Sequence, residues 1–235
     1  MEMTRYNELF NRYIKPQTSP LALKLFQTEN EIPEKVKFPV KDLGYQVALC
    51  QAFGMARRYG SILAVGKDDQ CCIGGAVAMG FIADAPQAEA FMAGKKLDVG
   101  KYSHVLIAPF EKAAFEPDLL VLYVNPAQAM RLSHSAIMGA GQTVTARASG
   151  FGDCGDVVAN GTTTNECQFI LPSGGDRVYG STQDHETIFT IPGNLVETIA
   201  NGLEATHKMG FRYPVLTDMH HRPALAPFLE IPKKS

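Results

Sequence analysis

The 235-residue chain has no apolar run of the roughly 18 residues that a membrane-spanning helix requires. Its opening residues, Met1-Glu2-Met3-Thr4-Arg5-Tyr6, do not lead into the apolar core of a signal peptide. The expectation is a cytoplasmic protein without a membrane partner. No cluster of lysine or arginine stands out, and a formal charge of -2 with a pI near 6.3 gives no field to hold a polyanion, which argues against nucleic acid as a partner. There is no internal repeat, no low-complexity tract and no CxxC pair. The five cysteines are odd in number and irregularly spaced, so they read as reduced thiols rather than a disulfide framework.

What is present is ordinary globular composition, 46% apolar and 20% charged. It suits a single domain over 1–235, with 211–235 an irregular, proline-rich tail. Apolar residues at Tyr6, Leu9, Phe10 and Tyr13 share one helical face. Leu21–Phe26 reads as a strand, 31–39 as a proline-punctuated connection, and 44–59 as a helix with Gly60 suited to end it. Ser61–Val65 is strand-like and feeds a small-residue helix reaching about Gly80. Another short helix is expected over 85–93. Val105–Ala108 and Leu119–Val124 are fully apolar and read as buried central strands. The short connection between these two strands disfavours a parallel crossover. Asn125-Pro126 has the pattern of an N-cap followed by proline at the first helical position, opening a helix to about Met138. Thr143–Ala146 is a strand, Asp153 a candidate cap for a short helix ended by Asn160-Gly161, and 166–171 a strand that turns through Pro172–Asp176 into a hairpin. A strand over 187–191 and a helix striped by Leu195, Ile199 and Leu203 complete the chain. The fold class is α+β, a mixed and largely antiparallel sheet with flanking helices.

Chemistry concentrates at the thiols. In Asp68–Ala76, Cys71 and Cys72 stand where a strand gives way to a helix. The unpartnered N–H groups and partial positive charge of that helix start favour a thiolate, the species wanted by both metals and electrophiles. Gly74 and Gly75 admit close approach of a ligand or another backbone. Cys154 lies in a second glycine-rich loop, Ser149–Gly155, near the first turn of the helix that Asp153 could cap. Cys50 rides its helix in register with Val47, Gly54 and Arg57. Cys167 shares a strand face with Phe169 and Leu171, as a packing residue would. Arg177, beside the Gly174-Gly175 turn, offers a bidentate clamp for carboxylate or phosphate. Three histidine-bearing places read as structural or solvated: His134 on an apolar helix face, Asp184-His185-Glu186 on the surface, and His220-His221 in the tail.

Several spaced stretches together resemble the domain of unknown function 169 family of bacteria and archaea. They are Tyr45 to Gln51 with Ala56-Arg57, Cys72–Ala76 with Met79-Gly80, Asp118 through Asn125–Leu132, Cys154 with Val157-Val158, Gly175–Arg177, and Ile191-Pro192. The resemblance runs from about Leu21 to Leu203. It implies recurring cysteines at the positions of Cys50, Cys72, Cys154 and Ser173, so this chain departs at the fourth.

On that resemblance Cys50, Cys72 and Cys154 are the expected metal ligands, converging on an iron-sulfur cluster. Gly74, Gly75 and Ser173 would line the cofactor, with Cys72, Cys154 and Arg177 as catalytic groups. The missing ligand would come from Cys71 or Cys167, from an oxygen such as that of Ser173, or from an open position acting as Lewis acid on a small anionic molecule. Two other readings stand beside it: a metal-free thiol enzyme with Cys72 or Cys154 as nucleophile, and a non-catalytic ligand-binding module.

Overall fold

The computed structural model describes residues 2–83, 85, 86, 88 and 96–215. Leu21–Phe26 (β1) is the axis of the sheet. It pairs antiparallel with His104–Pro109 (β3) on one side and with Leu119–Val124 (β4) on the other, setting Leu23 between Ile107 and Leu119. Leu63–Gly66 (β2) closes the β3 edge antiparallel. Beyond β4 follow Thr187–Pro192 (β7) and Gln168–Ile170 (β6), both antiparallel, and then Thr145–Arg147 (β5), parallel to β6. Among the described residues the sheet has seven strands in the order β2-β3-β1-β4-β7-β6-β5. This is the mixed, mostly antiparallel α+β arrangement expected from the sequence.

The expectation for the two apolar strands needs one refinement. β3 and β4 are not neighbours: they flank β1 and run in the same direction, joined by a short connection that starts with a 3-10 turn at Phe110–Lys112. The short connection suffices because the strands are staggered: β3 ends opposite Leu21 and β4 begins opposite Leu23, so little chain is needed to return along β1 and no helical crossover is required.

Alternation along β4 separates two cores. Leu119, Val121 and Tyr123 face one side of the sheet, and Leu120, Leu122 and Val124 the other. All six are buried, and each large apolar side chain withdrawn from water contributes about 1.5–3 kcal/mol. The first side is covered by Leu49–Tyr59 (α2), Ile73–Ala78 (α3) and a π-helical stretch, Gly155–Asn160, that continues into Gly161–Thr164 (α5). The second is covered by Glu2–Tyr13 (α1), Pro126–Ala140 (α4) and Val196–Lys208 (α7).

Local signals account for most boundaries. Asn125 caps α4 by accepting from Gln128 N at 2.9 Å, while the Gln128 side chain returns to Asn125 N at 2.8 Å. Gly60, at φ 72°, ends α2 in the left-handed conformation.

Three expectations are corrected. The segment after Pro172 is not a hairpin: Gly174–Tyr179 forms a short helix (α6), because the Ser173 hydroxyl accepts from Asp176 N at 3.1 Å and starts a turn. The helix at Cys154 already includes Asp153 and runs past Asn160-Gly161 to Thr164, ending where Asn165 takes a φ of 53°. α2 begins at Leu49 rather than near Gly44, since Val47 is held extended by pairing with the chain at Asp69 and Cys71. Of the helix expected over 85–93, residues 86 and 88 are helical while 87 and 89–93 lie outside the described residues, as does the tail beyond 215 with His220-His221.

Candidate functional site

A cavity of about 770 Å³ opens on the α2 side of the sheet, and Cys50, Cys71, Cys72, Cys154 and Ser173 all line it. Backbone pairing brings the first two cysteine segments together. Val47 N donates to Asp69 O at 2.8 Å and Cys71 N to Val47 O at 3.1 Å, so the chain entering α2 lies along the chain entering α3. Cys50 then falls in the first turn of α2, and Cys72 occupies the position just before the first residue of α3. Cys154 arrives from the far end of the sheet, in the first turn of the helix after the Ser149–Gly155 loop. Gly150 and Gly152 adopt φ values of 69° and 51°, which only glycine takes without strain, and they hold Phe151 at the cavity rim.

Burial dominates the electrostatics. It raises the Cys50 and Cys154 thiols well above the ordinary thiol range, and the Asp153 charge and the neighbouring thiols push both further up. Asp153 lines the cavity, and its carboxyl is raised by burial. The Ser173 hydroxyl and several backbone N–H groups bond to that carboxyl and oppose the rise. Ser173 therefore has two structural tasks, capping α6 and donating to Asp153.

Behind this wall lies a buried polar network. Tyr123 Oη donates to Asp176 Oδ1 at 3.2 Å, and Thr182 Oγ1 donates to Asp176 Oδ2 at 2.8 Å. Arg57 Nη1 meets Glu186 Oε1 at 2.9 Å, and its Nη2 donates to Thr182 Oγ1 and Gly180 O. The Arg57 guanidinium lies 3.8 Å from the centroid of the Tyr123 ring. Burial, then the nearby Asp153, raises Asp176 to about 7.

The residues singled out from sequence thus divide. Cys50, Cys72, Cys154, Gly74 and Ser173 share the cavity, with Cys71 beside them. Gly75 does not line it; a Cβ there would stand 2.9 Å from the Gln70 amide nitrogen, so its smallness makes room for that side chain. Arg177 is also outside: Nη1 donates to Gln183 O at 2.8 Å and lies 3.7 Å from Asp184. Cys167 is buried on the opposite face of the sheet with the α4 and α7 core. His134 lies on that face too, against the Phe211 ring.

Glu186, expected at the surface, is 3% exposed because it neutralises Arg57 and meets Arg58 at 3.3 Å. His185 and Asp184 do stay at the surface. The Arg57, Tyr123, Asp176 and Glu186 network was missed from sequence. Its one signal was an arginine in register with Cys50 and Gly54, on what is the buried side of α2.

Among the described residues, no group of three or more His, Cys, Asp or Glu side chains stands at the spacing of a single metal ion. No described helix is long and apolar enough to cross a membrane. The chain is 27% identical over 207 residues to an uncharacterised protein of Methanocaldococcus jannaschii, covering 78% of this chain and 86% of that one. No solved structure matches it. Residues 10–202, most of the described fold and all the cavity-lining cysteines, match domain of unknown function 169, the uncharacterised ArCR family, and the chain belongs to that family.

Proposed function

We propose that Cys50, Cys72 and Cys154 hold an iron-sulfur cluster in the 770 Å³ cavity, and that a small molecule reacts beside it. The observation that supports this reading is the sharing of one cavity by thiols from three distant stretches of chain, each set on a helix start. Soft thiolates are the donors such clusters take. Raised thiols suit that role better than free nucleophilic attack, since a metal displaces the proton that burial retains. When bound, the cluster supplies one-electron transfer or Lewis-acid polarisation.

The chain's own groups have definable tasks. The Asp153 carboxyl, raised by burial, stands at the cavity wall within reach of a bound molecule, where it can exchange a proton with it. Ser173 orients that carboxyl. Gly74 and Gly174 leave space for the reactant, while the exposed Ile73, Phe151 and Tyr179 give the rim an apolar character. With Arg177 turned away, the described lining holds no cationic side chain, so a neutral or weakly polar small molecule suits it better than the anion expected from sequence.

The test is anaerobic purification followed by iron and acid-labile sulfide analysis. Brown protein carrying both is expected, with loss of both in Cys72→Ser and Cys154→Ser and retention in Cys167→Ser. Colourless protein that takes up neither after reconstitution with ferrous iron and sulfide would sink the proposal. The exposure of Cys72 just before α3 favours a second reading, a metal-free thiol enzyme. That reading calls for colourless protein in which Cys72 alkylates far faster than Cys71.

A further inference from the structure

On the opposite face of the sheet, α4 and the chain from Gly210 enclose a cleft of about 410 Å³ lined by Met130, Arg131, His134, Phe211, Arg212 and Val215. Its polar groups are cationic or unpartnered. Arg131 is 1% exposed, yet every acceptor it meets is neutral: Nη1 and Nη2 donate to Thr206 Oγ1 at 3.2 Å, and Nη2 to Leu203 O at 3.3 Å. Its Nε has no partner, and no carboxylate pairs with it among the described residues. His134 Nδ1 is likewise buried without a partner.

Arg212 adds a second guanidinium, exposed and without an ion pair among the described residues. Burial, then the charges of Arg212, Arg131 and Arg12, lowers the pKa of His207, near the same end of α7. A buried guanidinium without a counter-ion is costly, and burial lowers the Arg131 pKa. Part of its setting is structural, because a cation near the C-terminal end of α7 complements the helix dipole. That role occupies the Nη groups alone and leaves Arg131 Nε, His134 Nδ1 and Arg212 unexplained.

We propose that this cleft binds the carboxylate of a small organic acid with an apolar body. The carboxylate sits between Arg131 and Arg212, whose planar guanidinium groups match its two oxygens. His134, protonated at Nδ1, adds a third donor, and Met130, Phe211 and Val215 pack on the apolar body. The cleft lies across the sheet from the thiol cavity, so this assignment stands or falls independently of the cluster.

Calorimetric titration of the full chain with benzoate tests it. Saturable binding is expected, weakened about tenfold or more in Arg212→Met and for the uncharged analogue benzamide. Because Arg212 is exposed, that variant keeps its fold, which a melting curve verifies. The His134 imidazole resonances should shift on benzoate addition in the wild type. The assignment is overturned if benzoate gives no saturable heat, if Arg212→Met or benzamide binds as tightly as the reference, or if inorganic phosphate binds more tightly than benzoate.

Discussion

Asp176 has no exposed surface, and its carboxyl accepts from Tyr123 and Thr182 while sitting near the charge of Asp153. Burial first, and Asp153 second, raise it from 3.8 to about 7 in the folded protein. The folded chain therefore keeps a proton at pH values where the unfolded chain has released it. Stability from this group is full below pH 3.8, declines as pH rises, and levels off above about 7. Thermal melts of wild type and Asp176→Asn across that window should show the wild type losing ground to the variant as pH rises. A gap that stays constant would contradict the assignment. The Arg57–Glu186 pair beside it is also buried, with side chains 0% and 3% exposed. Glu186→Gln leaves the guanidinium short of its counter-charge and is expected to cost about 3–5 kcal/mol in denaturant unfolding. Little of this was legible in sequence. Asp176 looked like part of a turn and Glu186 like a surface acid, because the partners that bury them come from β4, α2 and Thr182, far away or unpatterned in the chain.

Elements with their own start and stop signals were read correctly, and those whose ends depend on tertiary contacts were not. Asn125-Pro126 and Gly60 marked α4 and α2 because caps are local hydrogen bonds. Pro172-Ser173-Gly174-Gly175 carries turn residues, yet Ser173 bonds to Asp176 N and converts the turn into α6. α6 is then held against α2 by a close backbone contact. A Cβ on Gly54 would stand 2.7 Å from Gly180 O, and one on Gly180 would meet Asp176 Oδ1 and lie 2.9 Å from Cys50 O. This contact sets how far Ser173 lies from Cys50 across the cavity. Gly54→Ala gains helix propensity in isolation, but here the added methyl forces α2 and α6 apart, an overpacking cost of about 1–3 kcal/mol. Its melting temperature should fall. A rise would mean that the two helices are free to separate.

At the scale of the molecule, the sheet sorts the five cysteines by face and depth. Strand composition made the two-sided core legible, since β4 is apolar at every position, and β1 and β3 at all but Lys24 and His104, so they must be covered on both sides. Which helix covers which face was not legible, because it depends on the strand order, with β1 inserted between β3 and β4. That order puts Cys50, Cys71, Cys72 and Cys154 at one cavity and Cys167 in the opposite core. Alkylation followed by peptide mapping reads this arrangement directly. Exposed Cys71 and Cys72 should label first in the native protein and half-buried Cys50 more slowly. Burial removes access to Cys154 and Cys167 and holds both thiols protonated, so neither should label until the chain unfolds. The cavity cysteines should then separate from Cys167 on adding ferrous iron and sulfide anaerobically before the label. Cys72 and Cys50 become protected if they are ligands, whereas Cys167, across the sheet, keeps the same dependence on unfolding. Native labelling of Cys167 at the rate of Cys72 would show that the faces are not divided as described, and the shared thiol cavity would lose its structural basis.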